Sequence, residues 1–506
     1  MLHLKSLVLL LLFSISTCKT IFIKIDTNKP IATTANSFLG CNIDSASLYQ
    51  DTRLNFKDTD LINLSKRLAN EGVDPMVLRI GGSSADDLTT FVNNSNHGHI
   101  YVTTDYWDEL IQFVNETGFH LVWDLNMRIR HINSTFWDPQ DAIRLLNYMR
   151  DNNQLDVVHG FQLGNEPGHY QTRNHGIPTA KQHGLDFITL SNLLDEYYKP
   201  NQRPRMQGPD VCFGKLTDDS PCADTKYFRQ VLQAAQGSST LSDITVHSYG
   251  MIGPVTTPTR RNVTECYEKN FLNSTLFRYE SVVPAVAEWM KIKNELAPKS
   301  NLVLSETATT GDGGCKHLSN RFLAGFYFVD ILGVLGDMGV HQVYRQDLVG
   351  FSGINGGSSY ALTGVPGWFN HNTNGKLLPN PDYFTARLYR KLVGAIRLST
   401  NYEVDSDVRA LRTHAACAVG GGIVITYINP SNESLTVELE DQNSKVELYI
   451  LTSGQLTDSS ISLNGVILNA NSILLPITGT SNITLPQYSY GFIHVIDNNN
   501  LGICEN

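Results

Sequence analysis

Short apolar runs alternate with longer stretches of helical periodicity through the first four-fifths of the chain. Apolar strands separated by amphipathic helices are typical of parallel βα units, and eight such units close into a (β/α)8, or TIM, barrel. A doubly wound open sheet would alternate in the same way, but no Gly-rich phosphate loop follows any of the runs. We therefore predict an α/β fold with barrel strands at residues 37–43, 76–81, 120–125, 158–164, 205–209, 244–247, 301–305 and 340–345.

The segments between these strands have the apolar spacing of amphipathic helices. They lie at residues 60–70, 106–116, 141–152, 186–198, 227–235, 285–296 and 320–335.

Around residue 396 the pattern changes to short, alternating, β-branched runs, which predict an appended C-terminal antiparallel β-sandwich. Asn464-Gly465 predicts a tight hairpin turn there, and residues 20–25 alternate in the same way and could add a strand. The predicted domains are a barrel at 36–395 and a sandwich made of 19–35 plus 396–506. The sandwich strands are expected at residues 404–410, 422–428, 435–439, 446–451, 473–477 and 490–496.

Residues 1–18 have the layout of a secretory signal peptide, with Lys5, an apolar run at 7–13, and small or polar residues up to Cys18. The run is too short to span a bilayer, which takes roughly 20 apolar residues. Together with a series of Asn-x-Ser/Thr triplets, it predicts an N-glycosylated protein that is secreted or lysosomal. The acceptor positions are Asn63, Asn93, Asn115, Asn133, Asn262, Asn273, Asn432 and Asn482.

Of the eight cysteines, seven remain once Cys18 is assigned to the signal peptide. An odd number predicts a free thiol, and Cys41, inside the first apolar strand, is the candidate. Proximity alone suggests that Cys212 pairs with Cys222. No close Cys or His pair has ligand spacing, so we expect no metal site and no cofactor.

The formal charge is −10, from 39 basic and 49 acidic residues. Such a molecule repels polyanions at neutral pH, which argues against nucleic acid as a partner. The sequence gives no indication of peripheral membrane contact and none of the oligomeric state.

Two acidic residues each end an apolar run that predicts a buried strand: Glu166 in Leu-Gly-Asn-Glu-Pro and Glu306 in Leu-Ser-Glu-Thr. Catalytic groups of a (β/α)8 barrel gather at the C-terminal ends of the strands, so the two could meet at one mouth. Cleaving a glycosidic bond takes one carboxylic acid to protonate the leaving oxygen and one carboxylate at the anomeric carbon. The pair predicts a glycosidase with a mildly acidic pH optimum, although either Glu alone would be interpreted as a helix cap or a surface residue.

Further motifs stand in a fixed order along the chain. They are Asn42-Ile43-Asp44, Leu78-Arg79-Ile80-Gly81-Gly82, Asp124-Leu125-Asn126, Gly208-Pro209-Asp210, Val246-His247-Ser248-Tyr249, Tyr344-Arg345-Gln346 and Leu378-Pro379-Asn380-Pro381-Asp382-Tyr383. With the two glutamate motifs, this set resembles the heparanase-like enzymes of glycoside hydrolase family 79, of clan A, over nearly the whole mature chain. The resemblance implies a retaining endo-β-glucuronidase that acts on glycan chains such as heparan sulfate or hyaluronan.

Carried over by position, the resemblance makes Glu166 the general acid/base and Glu306 the nucleophile. It implies that Asn165 contacts the sugar 2-hydroxyl and that Cys417 pairs with Cys504. The rest of the glucuronide subsite would be lined by Asp44, Asn126, Tyr249 and Gln346, and by Gly313 and Gly314, whose backbone amides can hold the uronate carboxylate.

Each of these residues also has a structural alternative. Asp44 and Asn126 could cap the segments that follow them. Tyr249 could be a side chain at the edge of the core, His247 a buried histidine, and Arg79 an ion-pair partner within the barrel.

The chain departs from the animal enzymes that cut heparan sulfate. Ser83-Ser84-Ala85 stands where those enzymes have a lysine, and Ser248 and Gly250 replace a histidine and a tyrosine. Sulfated chains need clusters of Lys and Arg, and the candidates here are Arg128, Arg130, His131 and Arg260-Arg261. This weakens the case for heparan sulfate and leaves hyaluronan, other glucuronide-bearing glycans and small glucuronides open.

The loop after Gly82 is about two dozen residues long, a typical length once short structure is allowed. It lacks the long insert that is excised in animal heparanases, so we predict a single-chain active enzyme.

Two alternatives to an endo-glucuronidase remain: an exo-β-glucuronidase for small glucuronides, and a catalytically idle protein that binds glycans in the same groove. The presence of both glutamates, Asn165 and Gln346 argues against the idle protein.

Overall fold

The computed structural model describes residues 20–50, 53–92, 100–167, 178–213, 225–250, 267–272, 282–311, 313–350, 359–364, 376–403, 411–440, 444–497 and 502–504. No helix within these ranges is long and apolar enough to cross a membrane. Several predicted features lie outside the described residues: the signal peptide, Cys222, Cys266, Asn93, Asn262, Asn273, Arg260-Arg261 and the strand at 404–410.

Eight parallel strands close into a barrel, which confirms the predicted fold class. The ring closes where the last strand pairs with the first, with Tyr344 opposite Gly40. Each strand overlaps its predicted run. In chain order the barrel strands are β1 (Leu39–Asp44), β2 (Val77–Gly81), β3 (His120–Leu125), β4 (Val158–Leu163), β5 (Arg205–Phe213), β6 (Asp243–Ser248), β7 (Asn301–Thr307) and β8 (Gln342–Arg345).

All seven predicted helices are present, and their apolar faces pack against the barrel. Helix Thr104–Thr117 illustrates how they are bounded: Thr103 accepts a hydrogen bond from the amide of Tyr106 at its start, and Gly118 ends it in the left-handed region. The helices of the described residues are Thr59–Ala69, Thr104–Thr117, Gln140–Asp151, Ala180–Tyr197, Thr225–Ala234, Glu268–Phe271, Val282–Leu296, Ala324–Asp337 and Pro381–Leu392.

The described residues also contain shorter elements. Single 3₁₀ turns lie at Ser45–Leu48, Ala85–Asp87 and Gly237–Ser239 in the barrel region, and at Gly502–Cys504 near the C-terminus. Two small sheets pair Leu88–Thr90 with Ile100–Val102 and Thr363–Gly364 with Leu378–Pro379.

Beside the barrel, twelve strands form one continuous and mostly antiparallel sheet, as expected for the C-terminal region. The N-terminal strand Thr20–Asp26 pairs antiparallel with Val393–Glu403 and parallel with Leu435–Leu439, so residues 20–25 do add a strand. Side chains near both ends of the sheet, such as Val437 and Val446, share one core. The strands are Thr20–Asp26, Ala32–Thr33, Val393–Glu403, Arg412–Ala418, Ile423–Asn429, Leu435–Leu439, Lys445–Thr452, Ser462–Leu463, Val466–Ile467, Ile477–Thr480, Asn482–Leu485 and Ser489–Asp497.

Some details of this sheet differ from the prediction. The strand predicted at 473–477 begins only at Ile477, because Ile473 and its alternating neighbour Leu475 are exposed and do not bury a common face. Strand Val393–Glu403 was not predicted, since it follows helix Pro381–Leu392 with no turn residues between them. It crosses residue 395, so the division into domains at that position stays a prediction.

The disulfide between Cys417 and Cys504, implied by the resemblance, is present with Cα atoms 5.2 Å apart. Cys212 and Cys315 are also disulfide-bonded, and the pairing of Cys212 with Cys222 stays a prediction. Among the cysteines in the described ranges, Cys41 is a buried free thiol, as predicted.

Helix Ala324–Asp337 joins the barrel to the sheet, and it is almost entirely buried because both pack against it. Gly333 allows the close approach, since a Cβ there would lie 2.1 Å from the ring of His414. His414, on strand Arg412–Ala418, is held between two carboxylates of the helix. Its Nδ1 lies 2.6 Å from Oδ2 of Asp337 and its Nε2 lies 3.2 Å from Oδ1 of Asp330.

This contact predicts a pH-dependent contribution to stability. Burial by itself lowers the pKa of His414, but Asp330 and Asp337 outweigh it and raise the pKa above its ordinary value of 6.5. A raised pKa in the folded state stabilises the protein below the unfolded pKa, and this stabilisation is lost as the pH rises through the folded pKa. We expect His414→Asn to lower the free energy of unfolding by about 3 kcal/mol at pH 5, and by less at pH 8.

Chemical denaturation at the two pH values measures this difference. The control is His131→Asn, because the side chain of His131 is half exposed and lies 3.6 Å from its partner Asp138. That variant should change stability at neither pH. Equal losses for His414→Asn at pH 5 and pH 8 would contradict the prediction.

Candidate active site

Residues from all eight barrel strands converge at one mouth of the barrel. Parallel strands end at the same edge, so side chains at or near their C-terminal ends become neighbours although they are far apart in sequence. They are Asp44 on β1, Arg79 on β2, Asn126 after β3, Asn165 and Glu166 after β4, Asp210 on β5, His247 on β6 with Tyr249 just beyond it, Glu306 on β7 and Gln346 after β8.

Glu166 and Glu306 meet at this mouth. One oxygen of each carboxylate and one ring nitrogen of His247 lie within 4.8 Å of one another. Both glutamates are largely buried, with 8% and 7% of their surface exposed. Carboxylates of retaining glycosidases stand about 5 to 5.5 Å apart and those of inverting ones about 6.5 to 9.5 Å. The spacing is therefore closer to that of retaining glycosidases, in which one carboxylate attacks the sugar carbon directly.

The backbone at Glu166 adopts a conformation that side-chain-bearing residues disfavour, with φ 47°. The turn begins at Gly164, where φ is 80° and a Cβ would lie 2.7 Å from Met127. The Glu166 amide donates a hydrogen bond to the carbonyl oxygen of Asp210 (3.0 Å). The surrounding loops therefore hold this turn in a conformation that the local sequence would not choose.

The buried guanidinium of Arg79 is hydrogen-bonded to side chains from three other strand ends. Its partners are Oε2 of Glu306 (3.1 Å), Oδ1 of Asn165 (2.7 Å), Oδ2 of Asp210 (3.0 Å) and Oε1 of Gln162 (2.5 Å). Burial by itself lowers the pKa of Arg79, but Asp210 and Glu306 outweigh it and raise the pKa above its usual value. The ion-pair alternative for Arg79 is thus observed, and one partner is the predicted nucleophile.

His247 bridges three carboxylates. Its Nδ1 lies 2.9 Å from Oε1 of Glu166 and 3.6 Å from Oε2 of Glu306, and its Nε2 lies 3.4 Å from Oδ1 of Asp210. Burial by itself lowers the pKa of His247, but Glu306 and Asp210 outweigh it and raise the pKa to about 10. His247 is therefore an imidazolium at physiological pH, a role that neither its motif nor its spacing indicated.

Two further aspartates surround these cations. Burial by itself raises the pKa of Asp210, but Arg79 and His247 outweigh it and hold the pKa below its usual value. Asp124 lies 3.7 Å from Arg79, and burial raises its pKa well above the ordinary range. Asp210 is thus ionised between two cations, whereas burial favours the neutral form of Asp124.

Among the described residues, Glu166, His247 and Glu306 place donor atoms close enough together to hold a metal ion. The same three side chains also take part in an ion-pair network, since the cationic Arg79 contacts Glu306 and His247 contacts Glu166.

Tyr249 donates its hydroxyl hydrogen to Oε1 of Glu306. Burial, and then the nearby Glu306, raise the pKa of Tyr249 well above its ordinary value, so the hydroxyl remains a donor. The ring of Tyr360 stacks beside it, with ring centroids 6.2 Å apart. Tyr360 lies in the loop beyond Gln346, and no sequence pattern pointed to it.

Gln346 connects the first strand to the seventh. Its Nε2 donates to Oδ2 of Asp44 (3.1 Å) and its Oε1 accepts from Nδ2 of Asn42 (2.8 Å). Asn42 also donates to the carbonyl oxygen of Ser305 (3.0 Å), next to the second glutamate. Asp44 in addition accepts from the amide of Ala46, so its capping alternative is observed alongside its position in the site.

The side chain of Asn126 makes one local and one distant hydrogen bond. Its oxygen accepts from the amide of Arg128 (2.8 Å), as the capping alternative predicts, and its amide nitrogen donates to the carbonyl oxygen of Leu88 on strand Leu88–Thr90 (2.9 Å). A contact between Asn126 and the substrate stays a prediction.

Gly313 and Gly314 form a turn after β7 with φ 87° and 85°. A Cβ on Gly314 would lie 3.2 Å from the ring of Tyr360, so the turn lies beside the tyrosine pair. The Gly314 amide bonds within the turn, to the carbonyl oxygen of Gly311 (3.2 Å). The predicted seat for a uronate carboxylate therefore depends on the amide of Gly313.

The first group of cations proposed for a sulfated chain is paired with acids. Arg128 contacts Asp87, and Arg130 lies 2.5 Å from Oδ2 of Asp186. These aspartates neutralise both arginines locally.

Comparison with known proteins agrees with this geometry. The model of glycosyl hydrolase family 79, N-terminal domain, matches residues 20–333. A hyaluronoglucuronidase of Hirudo nipponia is 28% identical, over 95% of this chain and 99% of that protein. A heparanase of Bos taurus is 28% identical, over 78% of this chain and 68% of that protein.

A solved structure shares the fold. It is a 4-O-α-L-rhamnosyl-β-D-glucuronidase from Fusarium oxysporum, which covers 94% of this chain and 100% of its own with a TM-score of 0.62 and 14% identity. Because the family model matches more than half of the sequence, the chain belongs to glycosyl hydrolase family 79 and is a glycoside hydrolase.

Proposed function

We propose that this chain is a retaining endo-β-glucuronidase that hydrolyses β-glucuronoside linkages within glycosaminoglycan chains. The observation that supports this most is the approach of Glu166 and Glu306 to within 4.8 Å in the mouth of a family 79 barrel. The names of the relatives support a β-glucuronoside as the bond that is cleaved, since one relative is a hyaluronoglucuronidase and another a heparanase.

In the first step Glu306 attacks the anomeric carbon of the glucuronide. A bond forms between that carbon and a carboxylate oxygen of Glu306 while the bond to the leaving oxygen breaks, and Glu166 gives its proton to the leaving oxygen. Arg79 and Tyr249 each donate a hydrogen bond to Glu306 and hold its oxygens in place. Asn165 would bond the 2-hydroxyl, a contact expected to strengthen in the transition state.

In the second step water attacks the same carbon while the bond from that carbon to Glu306 breaks, which returns Glu306 as a carboxylate, and Glu166, now a carboxylate, accepts the proton of that water. Two displacements return the anomeric carbon to its β configuration. His247 lies 2.9 Å from Glu166 and holds it beside the reacting carbon.

The remaining polar groups suit a uronic acid. Asp44 and Gln346 would bond the sugar hydroxyls, with Asn126 at the edge of the subsite. The amide of Gly313 would hold the carboxylate, which binds a negative charge without adding a further cation beside the nucleophile.

The two glutamates can be separated experimentally. We expect Glu306→Gln to lower kcat at least about 1,000-fold on every β-glucuronide, because it removes the nucleophile. We expect Glu166→Gln to lower turnover of an unactivated glycan by about 100- to 10,000-fold. Its effect on a dinitrophenyl β-glucuronide should be smaller, since that leaving group needs no proton.

Steady-state kinetics and NMR of the first anomer released measure both points. Glu109→Gln, which removes a surface partner of Lys57, is the control and should match the wild type. Wild-type turnover by Glu306→Gln, or a first product with the α configuration at the anomeric carbon, would contradict the proposed mechanism.

The preferred chain is an unsulfated one, of which hyaluronan is the representative. Sulfate groups are bound by Arg and Lys that have no other strong partner. Arg128 and Arg130 are instead paired with Asp87 and Asp186, and the net charge of −10 opposes a dense polyanion at long range. Hyaluronan carries a carboxylate but no sulfate, so its binding requires fewer unpaired Arg and Lys side chains.

We expect hyaluronan of defined length to be shortened internally, and heparan sulfate of matched length to be cut at least about tenfold more slowly. Size-exclusion chromatography of the products measures both rates, with Glu306→Gln as the blank. Release of single sugars from chain ends alone would indicate an exo-β-glucuronidase. Binding without cleavage of any substrate would indicate an idle glycan-binding protein.

We also propose that the protein is secreted or lysosomal and N-glycosylated. Its disulfides suit an oxidising compartment. The predicted acceptor asparagines within the described ranges are exposed, namely Asn63, Asn115, Asn133, Asn432 and Asn482.

A further inference from the structure

One buried carboxylate connects three loops of the active-site mouth. Asp86 lies in the single turn Ala85–Asp87, which follows β2, and only 1% of its surface is exposed. Its Oδ2 accepts a hydrogen bond from the amide of Asn165 (3.1 Å), and its Oδ1 accepts one from the amide of Met127 (3.1 Å). The loops after β2, β3 and β4 are thus joined through a single side chain.

The bond to Asn165 acts next to a residue that adopts a disfavoured backbone conformation. Glu166 has φ 47°, a conformation that costs on the order of 1 to 3 kcal/mol for a residue with a side chain and persists only when its surroundings impose it. Two backbone hydrogen bonds flank this turn. The Asn165 amide donates to Asp86, and the Glu166 amide donates to the carbonyl oxygen of Asp210.

Replacing Asp86 would release one of these restraints. A buried amide without an acceptor is unfavourable, so the loop would move to find another partner. A shift of about 1 Å in a catalytic group can reduce a rate about 100-fold. The groups that would move first are the carboxyl of Glu166 and the amide side chain of Asn165.

We propose that Asp86 is a positioning residue, which holds the turn at Asn165 and Glu166 so that the acid reaches the leaving oxygen. This inference rests on the proposed function, in which Glu166 is the acid/base. Asp86 itself does not touch the sugar; it acts through two backbone amides.

A surface aspartate at the other end of the barrel supplies a matched control. Asp151 ends helix Gln140–Asp151, is exposed and pairs with its neighbour Arg150. Asp151→Asn makes the same change of side chain away from the mouth, while both amide bonds made by Asp86 remain.

The test compares two substrates whose need for acid catalysis differs. An unactivated hyaluronan oligosaccharide needs a proton on its leaving oxygen, whereas dinitrophenolate leaves without one. For full-length protein carrying Asp86→Asn, we expect kcat/KM for the oligosaccharide to fall about 10- to 100-fold more than kcat/KM for dinitrophenyl β-glucuronide. Asp151→Asn should keep the ratio of the two values within about twofold of the wild type.

A purely structural role for Asp86 would lower both values together and leave the ratio unchanged, which would overturn the inference. If Asp86→Asn does not fold, as judged by its thermal melting curve, Asp86→Glu replaces it. That variant keeps the charge and both acceptor oxygens but moves them by one methylene, so it should show the same selective loss. A wild-type ratio in Asp86→Glu would overturn the inference.

The failure of the proposed function would look different. Wild-type protein that cleaves neither substrate would overturn the proposed function and this inference with it. Wild-type protein that cleaves both, with the ratio unchanged in the Asp86 variant, would overturn this inference alone.

Discussion

The guanidinium of Arg79 is the contact on which the rest of the site depends. A cation removed from water is costly unless its N–H groups are paired with acceptors. Its acceptors come from β4, β5, β7 and the turn after β4, so the charge is satisfied only when those strands are in their correct order around the barrel. The same hydrogen bonds place Glu306 and Asn165. One set of hydrogen bonds therefore does two things. It pairs the buried cation with acceptors, and it fixes the geometry that the proposed catalysis needs.

The second constraint is the balance of charge in the mouth. Glu166, Glu306 and Asp210 gather in a small volume, which would be unstable without compensation. Arg79 and His247 supply the compensating charge, and Asp210 lies between them. The two cations thereby offset most of the negative charge of the three carboxylates.

Support for the site extends to the helix after the barrel. Asp382, in the first turn of helix Pro381–Leu392, lies 3.1 Å from Arg345, which immediately precedes Gln346. Both members of the pair are almost fully buried. Burial raises the pKa of Asp382 to about 6, although Arg345 opposes the shift. The Pro-Asp-Tyr segment, which the sequence presented only as a motif, thus supports the residue next to Gln346 at the barrel mouth.

Periodicity was sufficient to predict the eight barrel strands, because burial on both faces demands apolar runs wherever a parallel strand occurs. It was insufficient at 473–477, where alternating aliphatic residues face solvent, and at Val393–Glu403, where a strand begins without any turn signal. The meeting of Glu166 and Glu306 at one mouth could be predicted because strand ends are recognisable in sequence, whereas their catalytic roles stay a proposal. Asp86, Tyr360 and the charge state of His247 could not be, since each depends on partners that are distant in sequence.

The sequence by itself therefore determined the barrel and the antiparallel sheet beside it. Its ordered motifs, which include those of the two glutamates, also indicated the family of the chain. Only the tertiary structure decided how far apart those glutamates stand, which cations lie against them and which arginines are already paired. The physical reason is the separation in sequence of the residues involved. A local pattern indicates whether its own segment is buried. Distances, hydrogen bonds and pKa shifts instead depend on contacts between distant segments, which form only when the barrel closes.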